Sequence, residues 1–290
     1  MPMDGLTLGF ATREMNAILP GGRIDRITQP EKDTIVPMFC MLLRKQILSG
    51  RILSIQQMHG DRVIHVDIDT VNELGDHVLR RLVLEIMGRH SNLMLLDEDG
   101  RILEAARHVS ADMSRVRQIQ PGLPYLPPPA QDKIAPEDAD AENLLAKLEA
   151  QGDVPLQKAL AASVSGLSNP AAKELAYRVL PAGCDRADNL PETAARLAEL
   201  LRRLPQMADP RVLEDEQGEP ADIFPFPYLS RDLDRQKPYP TVSQALERYF
   251  GARDQQDRIN QKSASMVKLL KGQIERCEKK LAQQEEDLSS

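Results

Sequence analysis

The sequence predicts an α+β fold in which an antiparallel sheet is followed by a helical section and then by one long helix. Three observations carry that expectation. Between residues 51 and 96, apolar positions alternate through RILSIQQMHGDRVIHVDI, break at NELGD, and resume in the dense block HVLRRLVLEIMGRHSNLMLLD. That is the pattern of paired strands. Residues 136–208 are instead rich in Ala and Leu and read as helical throughout. Beyond Thr241, Val267, Leu270, Ile274, Cys277, Leu281, Gln284 and Leu288 repeat at alternating spacings of three and four, the seam of a coiled coil.

Taken in order, residues 3–19 read as a helix with Leu6, Phe10, Met15, Ile18 and Leu19 on its apolar face. Asp4 stands where it can cap that helix. Gly21-Gly22 ends it, and RIDRITQPEKDTIV reads as a strand, a Pro-Glu turn and a second strand. Val36 then runs straight into PMFCMLLRK, a helix opened by Pro37 at its first turn. Strand-to-helix connections usually take about 2–6 residues, so either a hairpin has been lost here or residues are missing.

Gly60-Asp61-Arg62 forms the turn between the first two strands of the central block, and Glu85-Ile86-Met87-Gly88-Arg89-His90-Ser91-Asn92 is a polar knot inside it. Charged groups in a sheet that otherwise looks buried cost desolvation unless paired or used, which marks these two stretches as the working surface. For Asp61-Arg62 the structural alternative is a salt bridge at a hairpin tip, worth only about 0–1 kcal/mol. Asp99-Gly100 is a second hairpin turn. The proline-rich stretch QIQPGLPYLPPPAQDKIAPED is a stiff, extended connector. It divides a first domain at 1–133 from a helical domain at 134–210.

Within the helical domain, ALAASVSGLSNPAAKELAYRV reads as helix, Gly166-Leu167-Ser168 turn, Asn169 as cap, Pro170 at the first position, then helix. This is the helix-hairpin-helix pattern, whose turn offers backbone N–H groups to a phosphate. Gly166 and Ser168 are the candidate phosphate-binding residues, although tight helical hairpins in plain bundles look alike. Residues 211–230 read as a hairpin returning to the first domain's sheet. Residues 241–290 form one helix whose repeat is unbroken at Leu288, so it is expected to pair with a helix outside this chain.

Composition bounds the chemistry. The 290 residues are 41% hydrophobic but only 3% aromatic, with no Trp, so the core is aliphatic. Cys40, Cys184 and Cys277 form no CxxC pair and imply a reducing, cytoplasmic setting without a disulfide framework or zinc site. No apolar run approaches the roughly 20 residues of a membrane span, and MPMDGLTLGF lacks the basic start of a signal peptide.

Net charge is −7, which on average argues against a nucleic-acid partner. Residues 1–133, however, carry sixteen basic side chains against seventeen acidic ones, and thirteen of the sixteen are Arg. Its planar fork suits phosphate and carboxylate. The five His show no metal-ligand spacing, and neither a P-loop nor a GxSxG elbow is present. Met1-Pro2 offers a nucleophilic proline amine only in principle. The glycosylases that use one pair it with an adjacent Glu and zinc-binding cysteines, and this chain has Met3 and no such cysteines. No cofactor, metal or catalytic residue is expected.

The motifs DG near the N-terminus, GGRIDRITQPEKD, PMFCMLLRK, GDRV, LEIMGRHSN and PGLPYLPPPAQDK, in that order before the helical hairpin and coil, resemble the NFACT family. The resemblance is closest to its bacterial ribosome quality-control members, long described as fibronectin-binding proteins. It implies an N-terminal NFACT-N domain shaped like that of the formamidopyrimidine-type DNA glycosylases but without their chemistry. A helix-hairpin-helix domain and the first helix of a long antiparallel coiled coil would follow. Family members also have a longer strand-bearing segment where Val36 meets Pro37, a returning coil helix and a C-terminal domain.

The implied function is non-enzymatic. Such factors bind large ribosomal subunits obstructed by peptidyl-tRNA and recruit alanine tRNA for untemplated C-terminal tailing, alongside a small S4-like RNA-binding factor. By resemblance, Asp4, Asp61 and Arg62 match the family's tailing residues. Glu85, Ile86, Met87 and Arg89 match its anticodon-contacting block. The alternative is a fibronectin-binding surface adhesin, which would require export.

Overall fold

A computed structural model describes residues 3–28, 37–129 and 131–288 of the chain. The first helix, α1 (Gly5–Ile18), is capped as the sequence suggests: the Asp4 carboxylate accepts the Thr7 N–H at 2.8 Å. All of residues 5–12 are buried, because α1 is sandwiched. Leu8 packs with Ile55 and Ile64 of the sheet, whereas Leu6, Phe10 and Ala11 belong to the core of the helical layer.

The sheet is a five-stranded antiparallel meander, β1 (Arg51–Gln57), β2 (Val63–Val71), β3 (His77–Glu85), β4 (Asn92–Leu96) and β5 (Ile102–Ala105), in sequence order. Alternation fixes its faces. Ile64, Ile68 and Thr70 turn inward and are buried. Against this face lies α2 (Pro37–Ile47), whose Phe39, Leu43 and Ile47 share a cluster with Ile68 and Leu95. Val63, Val83, Met94 and Ile102 face the other way, under Ile119, Val109 and Tyr125.

Several expectations need correction. Residues 23–28 do not form a strand: Arg23 makes a single bridge to Arg51 and the rest is irregular. The expected turn and second strand through Val36, and hence the Val36–Pro37 junction, lie outside the described residues. The proline-rich stretch, expected as a stiff connector, is also bound laterally. Its backbone is tied to the edge of the sheet by Ile102 N–H to Leu123 O (2.8 Å) and Tyr125 N–H to Gly100 O (2.9 Å), a lateral fastening that composition cannot show.

The helical layer comprises α3 (Ala141–Glu149), α4 (Leu156–Ser163), α5 (Asn169–Val179) and α6 (Leu190–Arg203). Their core is Leu144, Leu148, Leu160, Leu175, Leu197 and their neighbours. The cap of α5 is Ser168, not Asn169, which is already helical. The 211–230 hairpin does not join the large sheet. Its strands β6 (Arg211–Glu214) and β7 (Pro220–Phe224) form a separate sheet with β8 (Gln236–Pro238), in the order β7-β6-β8. Phe226, just beyond β7, lies 6.0 Å from Phe10 of α1, so the hairpin reaches α1 through its aromatic residues and not through strand pairing.

The last helix, α7 (Val242–Leu288), has 47 residues and a length of about 70 Å. Its base packs Ala245 and Tyr249 on Val212 and Ile223. It is capped from a distant part of the chain: Glu14 of α1 accepts the Val242 and Ser243 N–H groups at 2.7 and 3.1 Å. Along the expected seam, Leu270 and Ile274 are exposed, at 57% and 55%. The side chains of Val267, Cys277, Leu281, Gln284 and Leu288 lie outside the described set.

Candidate functional site

The turn between β1 and β2 is the centre of the site. Met58 N–H bonds to Val63 O at 2.9 Å and Asp61 N–H to Met58 O at 2.9 Å. Closing the chain this tightly puts His59 and Gly60 at φ of 48° and 67°, the left-handed region that glycine tolerates best. The Asp61 carboxylate accepts the N–H of Arg62 at 2.7 Å. Gln57 then fastens the turn to α1, its amide donating both to Gly5 O (2.7 Å) and to Asp61 O (2.8 Å).

The turn after α4 closes onto this point. Gly5, Gly60 and Gly166 meet backbone to backbone, and a Cβ on Gly5 or Gly166 would overlap the Gly60 carbonyl oxygen. Leu6 N–H bonds to Gly166 O at 3.1 Å, and the Ser165 hydroxyl donates to His59 O at 2.8 Å. Asp4 completes the junction: its second oxygen accepts the Ser168 N–H at 3.2 Å and the Ser168 hydroxyl at 2.5 Å. The N-terminus of α5 thus already holds a carboxylate, and Asp4 takes the place that the sequence offered to a phosphate at Gly166 and Ser168.

The second stretch meets the first through pairing of Val63 with Glu85 and a 2.8 Å bond from Ile86 N–H to Arg62 O. Glu85 itself faces inward, its side chain wholly buried. Both its oxygens are held by the Arg117 guanidinium, and the Tyr125 hydroxyl adds a bond at 2.9 Å. Burial and the Glu85 charge push the Tyr125 phenol well above its ordinary pKa. Burial disfavours the Arg117 cation, but the bonds and charge of Glu85 outweigh that and raise its pKa. Glu85 therefore positions the strand end and presents nothing to a partner.

Beyond it, Ile86 and Met87 are half-buried, and a tight turn at Gly88–His90 exposes Arg89 and His90. Met87 N–H bonds to the Ser91 hydroxyl at 3.0 Å. Arg107 donates to Arg89 O at 2.8 Å and, through its backbone, is tied to Asn92. Asp4, Asp61, Arg62, the 85–89 stretch and the 166–168 turn thus converge, but only Asp61, Arg62 and Arg89, with Arg107, offer charged groups at the surface.

Gln57, Arg117 and Tyr125 were not foreseen. A lone Tyr among five prolines was the available signal for Tyr125; nothing local marks the other two. Among the described residues, no three His, Cys, Asp or Glu side chains are grouped to hold a metal ion, and no helix is long and apolar enough to cross a membrane.

Residues 36–290 match the family described as NFACT N-terminal and middle domains. The curated Rqc2 homolog RqcH of Bacillus subtilis (strain 168) is 30% identical over 325 aligned positions, covering 99% of this chain and 55% of that protein. The RqcH of Streptococcus suis (strain 05ZYH33) is 27% identical, covering 100% and 55%. The chain thus spans about half the length of these relatives. Among solved structures, the fibrinogen binding protein from Staphylococcus aureus superimposes with a TM-score of 0.72 at 25% identity, covering 86% of this chain and 99% of that one. The N-terminal part of the fibronectin/fibrinogen-binding protein from Streptococcus suis gives 0.69 at 26%, covering 86% and 98%.

Proposed function

The chain belongs to the NFACT family, and on that premise we propose that it is the RNA-holding part of a ribosome quality-control factor. It would work on large subunits obstructed by peptidyl-tRNA and recruit alanine tRNA for untemplated tailing, with an S4-like factor as co-partner and the cytoplasm as its setting. The observation that carries this reading is the convergence of Asp61-Arg62 with the 86–89 stretch, through the Ile86–Arg62 hydrogen bond. A single-stranded RNA loop presents base edges and phosphates at close range. Arg62, Arg89 and Arg107 supply forks for phosphate or a purine edge, and the Asp61 carboxylate accepts from amino or imino groups.

No covalent step falls to the protein in this scheme: it selects and holds tRNA, and the ribosome transfers the peptide. The exposed Leu270 and Ile274 suit a returning helix that would complete an antiparallel coiled coil and reach the ribosome. The test is to sequence RNA co-purified with the full-length protein and to follow its co-sedimentation with large subunits. Alanine tRNA enriched on subunit-bound protein supports the proposal; absence of both overturns it.

A second reading follows from the two solved relatives described as fibrinogen- or fibronectin-binding proteins. Under that reading the protein is displayed on intact cells and binds these ligands there. Surface labelling of intact cells separates the two.

A further inference from the structure

Two arginines face each other at the β1 edge of the large sheet. Arg23 makes the antiparallel bridge to Arg51, the first residue of β1. Partners in such a bridge project to the same face with Cβ atoms about 4.5–5.5 Å apart, and like charges placed directly opposite destabilise a sheet. Neither guanidinium has a carboxylate within ion-pair distance among the described residues. Asp69 stands on the other side of Arg51 in the β1–β2 register, yet both its oxygens turn to His77 Nδ1, each at 3.1 Å. Arg23 is held in place by its Nε–H, which donates to Ser49 O at 3.1 Å. Ser49 N–H in turn donates to Ile24 O at 2.7 Å, and Ser49 takes a φ of 68° to do so, a conformation uncommon for a residue with a side chain. The terminal nitrogens of Arg23 are left for a ligand. Both arginines, Ser49, Asp69 and His77 line a cavity of about 350 Å³ beside the end of β2. At a rise of about 3.3 Å per residue along β1, it opens about 20 Å from the Asp61 turn.

We propose that this cavity binds one phosphate group, gripped between the forks of Arg23 and Arg51, at a site separate from the Asp61 turn. Two guanidinium forks on adjacent strands reach a tetrahedral oxyanion from two sides, whereas the two oxygens of a planar carboxylate are matched by a single fork. Ser49 brings a hydroxyl to the same cavity. Charge narrows the form of the phosphate. Two cations against the Asp69 carboxylate leave one positive charge, the counterpart of a singly charged phosphodiester. The second charge of a phosphomonoester would stand against Asp69. An RNA backbone repeats the diester, and a small phosphate ester is the other source of the group. The site stands whether or not the Asp61 turn holds tRNA, because none of its residues belongs to that turn.

The experiment follows the arginine Nε–H resonances of the full chain by NMR. Dimethyl phosphate, methyl phosphate, acetate and an abasic ribose-phosphate tetramer are added in turn. Dimethyl phosphate should shift two side-chain resonances, one missing from R23Q and the other from R51Q, and acetate should shift neither. The tetramer should bind R51Q about tenfold more weakly than the parent, the loss of one charge-assisted contact. R51Q should also flatten the dependence of log affinity on log salt by about 0.7, the mark of one phosphate lost from a single strand. R51K keeps the charge without the fork, and should recover the salt slope but not the affinity. Without phosphate, R51Q should melt at the same or a higher temperature, since it relieves a like-charge pair. R23Q also gives up the Ser49 bond; should it melt lower than the parent, R51Q alone decides.

Unmoved Arg23 and Arg51 resonances with every phosphate overturn the proposal, and so does equal tetramer binding by R51Q and the parent. Acetate binding as strongly as dimethyl phosphate also overturns it, since the cavity would then be a carboxylate pocket. D61A/R62A should leave the dimethyl phosphate shifts in place; their loss would refute a separate site. The same titrations identify the source of the group. Tetramer binding, with dimethyl phosphate preferred to methyl phosphate, assigns it to an RNA backbone. Methyl phosphate preferred, with no tetramer bound, assigns it to a small phosphate ester.

Discussion

The Glu85–Arg117 pair permits the sharpest test of how the site is held. The Glu85 side chain is 0% exposed and that of Arg117 15%, so screening by water and salt is slight. Replacing Glu85 by Gln keeps the shape and an acceptor for Tyr125 but leaves the guanidinium uncompensated. Replacing Arg117 by Gln strands the carboxylate instead and also removes the bond to Leu126 O, 2.8 Å long. Removing one member of such a pair costs about 3–5 kcal/mol, or roughly 6–10 °C at about 2 °C per kcal/mol for a chain of this size. The double variant carries no buried charge and should be no worse than either single one, giving a coupling of at least about 3 kcal/mol. Denaturant unfolding followed by circular dichroism measures all four proteins. Amide exchange at residues 86–91 should quicken in the singles, because the strand end preceding that turn has lost its anchor. Single variants within about 1 kcal/mol of the parent, or strictly additive losses in the double, would refute the reasoning.

Three further outcomes are expected. D61A/R62A should leave the melting temperature almost unchanged, since these residues are half-exposed at a turn and such changes cost within about ±0.5 kcal/mol. In a pull-down it should lose tRNA by roughly ten- to a hundredfold per strong bond. G166A puts a methyl against the Gly60 carbonyl at a φ of 75° and should cost upwards of about 1–2 kcal/mol, measured by denaturant midpoint, whereas G218A, with open space around its Cβ position, should show only the backbone cost. Because burial lowers the His65 pKa in the fold, its contribution to stability is present above the unfolded value of about 6.5 and is lost as pH falls below it. The H65F protein should show a flatter acid limb in melting temperature against pH.

The first two strands were legible because apolar positions alternate along them, and NELGD and DEDG are turns that need no tertiary help; β4, buried on both faces at Met94 and Leu95, shows no such alternation. Asp4 was legible as a cap for the same local reason. Its second duty, accepting from Ser168 across 164 residues, was not, since one carboxylate serving two elements leaves no trace in spacing. The same holds for Glu85, whose partners stand 32 and 40 residues away. The stretch at 23–28 misled because it carries strand-like residues at a place where only Arg23 finds a bridging partner. Ser168 was passed over as a cap because Asn169-Pro170 is the stronger local signal. The fold was therefore readable where interactions are local. The joint that brings Asp4, Asp61-Arg62, the 85–89 stretch and the 166–168 turn together was not, because it is made by contacts between distant parts of the chain.

Glu14 bears on how α7 is aimed. It stands on α1 and bonds the first N–H groups of a rod about 70 Å long. Such a rod is a lever with its fulcrum at the buried helix. A tilt of about 5° at the base sweeps its far tip through about 6 Å, roughly the width of one helical turn. Whatever the tip meets is aimed by the same fourteen-residue helix whose first glycine rests on the Asp61 turn. Grip at one end and reach at the other therefore share a single mounting, and slackness in the mounting would blunt both together.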